Sequence, residues 1–372
     1  MFTRCLALSV LSAALLSAGS LAYAQPAEAV SLPLTPELAQ KTSITAEGAL
    51  RKDLAYGIYQ TVYSPFDNSL YVASAERAPS VRGGVIYKLD PITLDVKGTI
   101  YTDESNFGLT RNASGDALYV TNSLAAAVSK VELKEDGGIE RVHFNNRSFD
   151  DTKMGPRTIR HDPQQGRVYV GAVGAPAVIW VLDDRNLELI DTIENAGKWV
   201  TGLLVDSASH RLYAANGDGD GEVMVVNTQT NKIEQRWKPA GVKPALLLNF
   251  ALDSARNRLY VTETKDQKTV YVLDARDGKL LQQLPVGDAM DILYNADRDE
   301  LYLTHREQGK VSVLDGASYA VKAQYNLPEN PNSLELGPDS QLYVTVKAPF
   351  TPQYKASKRE SVVRIDLKNI KG

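Results

Sequence analysis

Four side chains that could bind a small polar ligand occupy matching places in the sequence: Asn122, Asn216, Glu263 and His305, each three residues after a tyrosine. One carboxylate, one imidazole and two amides can hydrogen-bond a polar ligand or hold a metal ion weakly. A strong metal site would need a second carboxylate or a second histidine. The same residues could instead cap strand ends and bind water, so the pattern leaves both interpretations open.

A glycine-rich loop resembles the first half of a calcium-binding loop. Asn216, Asp218 and Asp220 place side-chain oxygens at alternate positions, and a glycine stands at the sixth position. The twelfth position is Asn227, whereas such loops require a bidentate glutamate there. A tight polar hairpin explains these residues equally well, so the sequence supplies only a weak calcium candidate.

Cationic and aromatic side chains, concentrated in loops, indicate a different kind of ligand. Cations that follow a phosphate backbone, together with aromatic rings on which bases stack, are what sequence-tolerant binding of single-stranded nucleic acid requires. The cationic candidates are Arg77, Arg82, Arg306, Lys347, Lys355, Lys358 and Arg359. The aromatic candidates are Phe107, Trp199, Phe350 and Tyr354. A solvated loop that is basic without binding anything is the alternative.

Few features of the sequence point to catalysis. The four histidines fall in different copies of the repeat described below, so they cannot converge on a zinc ion. The sequence has no nucleophile elbow, no phosphate-cradling glycine loop and no histidine pair at metal-ligand spacing. We therefore expect a binding protein that needs no cofactor rather than an enzyme.

A phrase that occurs seven times must position these residues: a turn-rich segment followed by Leu-Tyr-Val-Thr or a close variant. Its tyrosines, 41 to 50 residues apart, are Tyr71, Tyr119, Tyr169, Tyr213, Tyr260, Tyr302 and Tyr343. After most copies a second strand signal ends in an Asp or Asn turn. Four short β-rich runs per period, without helical periodicity, are typical of a propeller blade. The sequence predicts an all-β fold, a seven-bladed β-propeller of four-stranded blades.

The last repeat supplies only three strands. Residues 44–54 precede the first inner strand and have no blade of their own. We expect them to pair onto the last blade as its outermost strand, so that an N-terminal strand completes that blade and no open edge remains at the seam. This closure would place the cationic loop of the first repeat beside that of the last repeat, on the face around the central channel.

The first 24 residues have the layout of a cleavable secretory signal. A basic start at Arg4 precedes a hydrophobic run and a small-x-small ending at residues 22–24. The run is too short for a membrane-spanning helix, so we expect export to the periplasm and no membrane insertion of the mature chain. Residues 25–43 would form a flexible lead-in and residues 44–372 the propeller.

Composition limits the possible partners. The only cysteine, Cys5, lies in the signal, so the mature chain has no thiol for a disulfide, a thiolate metal site or a nucleophile. The net charge is −4, and removal of Arg4 makes it −5. An acidic protein does not attract polyanions as a whole, so a nucleic-acid partner requires a local basic patch. We expect a monomer.

The repeated phrase is similar to that of a known family. The segment Leu118-Tyr119-Val120-Thr121-Asn122 and its six relatives resemble the YVTN-type β-propeller repeat. Residues 83–91, 304–313 and 331–334 carry a closer resemblance to a periplasmic group within that family, which extends from about Leu50 to the C-terminus. The resemblance implies a seven-bladed periplasmic propeller with single-stranded DNA binding and no established catalysis.

Three functions follow from these observations. The first is a periplasmic protein that binds single-stranded DNA through the basic and aromatic rim. The second is a scaffold for envelope proteins that could be linked to outer-membrane uptake, for which the sequence offers only a broad loop surface. The third is a lactonase-like, metal-dependent hydrolase. Lactonase-type propellers hold a metal with channel carboxylates and amides, here Glu263, Asn122 and Asn216, and the single carboxylate argues against that reading.

Overall fold

The computed structural model describes residues 41–75, 83–135, 137–144, 155–217, 221–239, 245–352 and 356–370. Strands account for nearly all regular structure in these ranges. The helical segments are one-turn 3-10 helices at Ser123–Ala125, Ser207–Ser209, Pro338–Ser340 and Leu367–Asn369. Across the same ranges, no helix has the length and apolar character needed to cross a membrane.

Six sheets each contain four antiparallel strands, which follow one another in sequence from the central channel outward. Strands are numbered along the chain, and β1 (Thr42–Ile44) and β2 (Leu50–Ala55) belong to the last sheet. Blade 1 contains β3 (Ile58–Ser64), β4 (Ser69–Ser74), β5 (Val85–Leu89) and β6 (Val96–Tyr101). Blade 2 contains β7 (Leu109–Arg111), β8 (Ala117–Asn122), β9 (Ala127–Glu132) and β10 (Ile139–His143). Blade 3 contains β11 (Gly155–Asp162), β12 (Arg167–Val173), β13 (Ile179–Asp183) and β14 (Leu189–Ile193).

The next three blades repeat this plan. Blade 4 contains β15 (Val200–Asp206), β16 (Arg211–Asn216), β17 (Val223–Asn227) and β18 (Lys232–Trp237). Blade 5 contains β19 (Leu247–Asp253), β20 (Arg258–Glu263), β21 (Thr269–Asp274) and β22 (Leu280–Leu284). Blade 6 contains β23 (Asp291–Asn295), β24 (Glu300–His305), β25 (Lys310–Asp315) and β26 (Val321–Asn326). The all-β, seven-bladed propeller predicted from the sequence is confirmed.

Blade 7 joins the two ends of the ring. Its strands are β27 (Asn330–Leu336), β28 (Gln341–Lys347) and β29 (Glu360–Asp366), followed outward by β2 and β1. The expected pairing of an N-terminal strand with the last repeat is confirmed, because β2 runs antiparallel to β29. The prediction was wrong in one detail. A tight turn, in which Gly48 N donates to Thr45 O (3.0 Å), returns the chain so that β1, not β2, is outermost and this sheet has five strands.

The hydrophobic core lies between adjacent blades. Each second strand is covered on both faces, and β4, β8, β24 and β28 are buried along their whole length. One cluster joins Tyr213 and Trp237 of blade 4 to Phe250 and Tyr271 of blade 5. The outer strands are mostly exposed, as in β6. This burial explains why the second strands are the apolar phrase that recurs in the sequence.

The repeat tyrosine fastens each of four blades to the next. Its hydroxyl donates to a backbone carbonyl in the outer hairpin turn of the neighbouring blade. The carbonyl belongs to the residue that follows the Asp or Asn at the start of the turn. The pairs are Tyr119 with Asp184 O (2.6 Å), Tyr169 with Thr228 O (3.3 Å), Tyr213 with Ala275 O (3.0 Å) and Tyr343 with Pro91 O (2.9 Å). The Asp or Asn shapes the turn by accepting N–H groups two or three residues further on. The repeat tyrosine and the Asp or Asn turn, which both recur in the sequence, therefore form the two sides of one contact between neighbouring blades.

The threonine two residues after the tyrosine joins the inner strands of two adjacent blades by hydrogen bonds. Thr121 Oγ1 accepts a hydrogen bond from Gly108 N (2.7 Å) in its own blade and donates to Arg157 O (3.1 Å) in the next blade. Thr304 and Thr345 make the same pair of contacts. Gly108 must be small, because a Cβ there would lie 2.4 Å from Arg157 O. These bonds hold the starts of the inner strands, where their regular pairing is interrupted.

Candidate ligand-binding site at the channel mouth

Residues from all seven blades line one cavity of about 510 Å³, here called the mouth cavity. Most of them come from the start of an inner strand, where pairing with the second strand is irregular in blades 1, 3, 4, 5 and 7. Val173, Thr264, Arg306 and Glu307 instead lie at or just after the end of a second strand. The register shifts between Ile58 and Thr61 and between Pro156 and Thr158, for example. Such bulges re-aim side chains. One residue near the start of each inner strand lines the cavity at an equivalent position. Together these residues form a ring: Tyr59, Phe107, Arg157, Thr201, Leu248, Met290 and Asn332.

Two guanidinium groups face this cavity, from Arg157 in blade 3 and Arg306 in blade 6. Among the described residues, neither has a carboxylate within ion-pair distance, although Arg306 donates to Asn332 Oδ1. The Arg306 Nε is buried and has no hydrogen-bond partner in the described part of the chain. Burial lowers the pKa of Arg306, and the charge of Arg157 lowers it further. An anion between the two groups would relieve both the repulsion and the desolvation.

The carboxylates of the mouth cavity are bound by the protein itself. Asp288 accepts hydrogen bonds from the backbone N–H of Glu307 (2.9 Å) and from the side chain of Gln308 (3.2 Å). Glu307 pairs with Lys268 Nζ at 2.6 Å. Asp291 accepts two backbone N–H groups, at 2.8 and 3.0 Å, and burial raises its pKa to about 6. The carboxylate oxygens therefore have donors within the protein, and the charged groups left for a ligand are the guanidinium groups of Arg157 and Arg306.

Three aromatic side chains complete the wall. The rings of Tyr59 and Phe107 lie 4.6 Å apart between centroids, tilted by 54°. Trp199 also lines the cavity and is 41% exposed, although tryptophan is usually well buried. Flat rings beside cations are the combination on which nucleobases stack.

Lys347 supports this wall from beneath and does not lie on the surface. Its Nζ lies 3.7 Å from the Tyr59 ring centroid and donates to Ile58 O (2.6 Å) and to Glu360 Oε2 (3.2 Å). Burial lowers the pKa of Lys347 to about 8 against the opposing effect of Glu360. The sequence analysis placed Lys347 in a loop as a contact for nucleic acid, whereas pairing of β28 with β29 buries it beside Glu360.

The structure brings together only some of the predicted nucleic-acid contacts. Arg306, Phe107 and Trp199 meet at the mouth cavity. Phe350 is half exposed, with its ring centroid 5.6 Å from Lys347 Nζ. Lys358 is exposed and paired with Glu329, and Arg359 is partly exposed. The remaining candidates lie outside the described residues: Arg77, Arg82, Tyr354 and Lys355.

The four residues three positions after the tyrosines do not line the mouth cavity. Glu263 is buried, and its oxygens accept four backbone N–H groups of residues 265–268 at 2.6 to 3.0 Å. Burial opposes ionisation of Glu263, but these donors outweigh it and lower its pKa. The Glu263 carboxylate therefore shapes the loop of its own blade.

The other three members of that set are also bonded within their own surroundings. Asn122 Oδ1 accepts from Ser129 (2.7 Å), and Asn216 Oδ1 accepts from Lys198 N (3.2 Å). The His305 Nε2 lies 2.9 Å from Ser312 Oγ. Asp218 and Asp220 of the calcium candidate lie outside the described residues. Among those that are described, no group of three His, Cys, Asp or Glu side chains could hold a metal ion.

Sequence reasoning missed Arg157, Tyr59 and Asn332, which form the cavity with Arg306. It counted positions from the tyrosine of the second strand, whereas Tyr59, Arg157 and Asn332 lie at bulges in inner strands. Proline within a strand marks such an irregularity. Pro156 and Pro331, immediately before Arg157 and Asn332, were the available signal.

Known proteins resemble this chain over most of its length. It is 36% identical over 330 residues to the YncE protein of Salmonella typhi, covering 88% of this chain and 93% of that protein. It is 37% identical over 326 residues to YncE of Escherichia coli K12, covering 87% and 92%. Hydrazine synthase of Kuenenia stuttgartiensis has a similar structure, with a TM-score of 0.64 at 16% identity over 77% of this chain and 92% of that one, which shows a shared fold alone. No protein-family model matches the chain.

Proposed function

The chain belongs to the YncE family of β-propeller proteins, and from this premise we propose that it is a binding protein that holds single-stranded nucleic acid at its mouth cavity. One observation carries the proposal: two guanidinium groups without carboxylate partners, among the described residues, share a cavity with three aromatic side chains. The resemblance to YVTN-type propellers also supports it.

The chemistry of the cavity favours a single strand over a duplex. Arg157 and Arg306 supply positive charge for phosphate, and Tyr59, Phe107 and Trp199 supply ring faces for unstacked bases. A duplex keeps its base faces inside the stack, so it would use only the cationic half of the site. The cavity volume lies within the usual range of pockets for small ligands, which suits one or two nucleotides.

The test is fluorescence anisotropy of labelled single-stranded and duplex oligonucleotides at two salt concentrations. We propose that the protein works in the periplasm, so it is purified from a periplasmic extract. Removal of the signal should leave a chain that begins at Gln25. We expect preference for the single strand and an affinity that falls with salt. The double variant Arg157→Ala/Arg306→Ala should bind at least ~10-fold more weakly. Its salt slope should also be smaller, by about 0.7 for each phosphate contact that is lost.

Arg276→Ala is the matched control. Its guanidinium pairs with Asp274 at the turn between β21 and β22, at the end of the sheet away from the loops around the mouth cavity. This variant removes one guanidinium away from the cavity, half the charge that the double variant removes, and should leave affinity and salt slope unchanged. Absence of binding even at low salt would contradict the proposal and favour an envelope scaffold instead.

A further inference from the structure

The mouth cavity presents two guanidinium groups, more hydrogen-bond donors than the two free oxygens of one internal phosphodiester can use. Arg157 and Arg306 both face it without a carboxylate partner among the described residues, whereas Asp288, Asp291 and Glu307 are each bonded to other groups of the protein. An internal phosphodiester brings a single negative charge. A phosphate monoester carries about −1.5 to −2 at neutral pH and presents three free oxygens.

The arrangement of Arg306 suits such a group. Asn332 Oδ1 accepts a hydrogen bond from one terminal nitrogen of Arg306, and Asn332 Nδ2 in turn donates to Tyr59 O (3.4 Å). This chain of contacts fixes the plane of the guanidinium and leaves Nε without a partner in the described part of the protein. A planar guanidinium with unused N–H groups binds phosphate oxygens in pairs, which a lysine cannot do.

The position of the cavity favours a strand end. The seven inner β-strands surround the cavity. An internal stretch of a nucleic-acid strand would have to enter and leave through the same opening, whereas a strand end only has to enter. The tilted Tyr59 and Phe107 rings lie on the same wall and would contact the nucleoside next to the phosphate.

We propose that the mouth cavity is a phosphomonoester site, in which Arg157 and Arg306 bind the terminal phosphate of a nucleoside and the aromatic wall binds the adjoining base. This inference rests on the proposed function and adds to it the part of the strand that is recognised. The same chemistry occurs in a strand end and in a free mononucleotide.

The test compares oligonucleotides of one sequence that carry a 5′-phosphate, a 3′-phosphate or hydroxyls at both ends, together with the circular form. We expect at least one phosphorylated form to bind ~10-fold or more tightly than the hydroxyl form, and the circle to bind no better than the latter. The variant Arg157→Ala/Arg306→Ala should remove this preference, and Arg276→Ala should keep it. Arg306→Lys keeps the charge but loses the paired N–H groups, so it should reduce the preference.

The outcomes separate this inference from the function on which it rests. Equal binding of phosphorylated, hydroxyl and circular strands would overturn the phosphomonoester site and leave single-strand binding intact. If no strand binds, the proposed function fails. Calorimetry with a nucleoside monophosphate and its nucleoside then tests the phosphomonoester site separately. Binding of the monophosphate alone would support the site, with a free nucleotide as its ligand. Binding of neither compound would overturn it.

Discussion

Glu335 is an internal carboxylate that links the last blade to the first. Its Oε1 accepts a hydrogen bond from Tyr63 N at 3.0 Å. Burial raises the pKa of Glu335 from 4.5 to about 7, although Arg111 and Arg160 act in the opposite direction. A carboxyl whose pKa is raised by folding contributes stability that is complete below its unfolded pKa. That contribution is lost as the pH rises through the folded pKa.

The variant Glu335→Gln tests this linkage. The amide oxygen can still accept from Tyr63 N and does not ionise, so the variant should gain about 2 kcal/mol in unfolding free energy near pH 8 relative to the native protein. Near pH 4 both side chains are neutral, and the gain should vanish. Urea unfolding across this range measures it. Glu188→Gln, at an exposed position, is the control, and a gain independent of pH would contradict the prediction.

At the scale of the blade, the repeat tyrosines make contacts that can be compared within one chain. Tyr343 and Tyr213 both donate to a carbonyl of the next blade. The Ala275 carbonyl that Tyr213 reaches also accepts from Arg211 Nη1 at 2.7 Å, whereas among the described residues Pro91 O accepts from Tyr343 alone.

Removing the two hydroxyls should therefore have unequal costs. Tyr343→Phe leaves a buried carbonyl without a donor and should destabilise the protein by about 1–3 kcal/mol. Tyr213→Phe leaves Ala275 O bonded to Arg211 and should cost less, about 0.5–1 kcal/mol. Urea unfolding of both variants measures the difference. Equal losses would mean that the second donor does not matter.

The repeat could be predicted from the sequence because the second strands are buried on both faces and keep one apolar phrase. The turns were visible because their Asp and Asn side chains bond to backbone N–H groups close in sequence. The mouth cavity was not predictable in the same way, because a bulge is a property of the pairing between two strands. Burial of Lys347 was missed for a related reason: it depends on Glu360, which only strand pairing brings near. Export through residues 1–24 stays a prediction.

At the scale of the whole molecule, one ladder between β2 and β29 closes the ring. Arg51 reinforces it. Its guanidinium donates to Ser361 Oγ (2.8 Å), to Pro328 O (3.2 Å) and to Glu329 Oε2 (3.3 Å), so it joins the seam strand to two other segments of blade 7.

Arg51→Ala should lower the unfolding free energy by about 1–3 kcal/mol, because it removes a partly buried, charge-assisted set of hydrogen bonds. Thermal unfolding followed by circular dichroism measures the change. Arg185→Ala provides the comparison: that side chain is exposed and, among the described residues, pairs with Asp183 alone in its own turn, so its loss should stay within about 0.5 kcal/mol. A similar effect from both variants would show that Arg51 adds nothing specific at the seam.

The seam and the mouth cavity share the residue Glu360, which pairs with Ala55 of β2, accepts Ile58 N (2.6 Å) and binds the lysine beneath Tyr59. During synthesis β2 is made before any of the blades, and its partner β29 is made after all other strands. The earliest strand must therefore wait for the latest one, a contact of very long sequence separation. The aromatic wall of the mouth cavity is complete only once the whole propeller has been translated, so an unfinished chain lacks the proposed site.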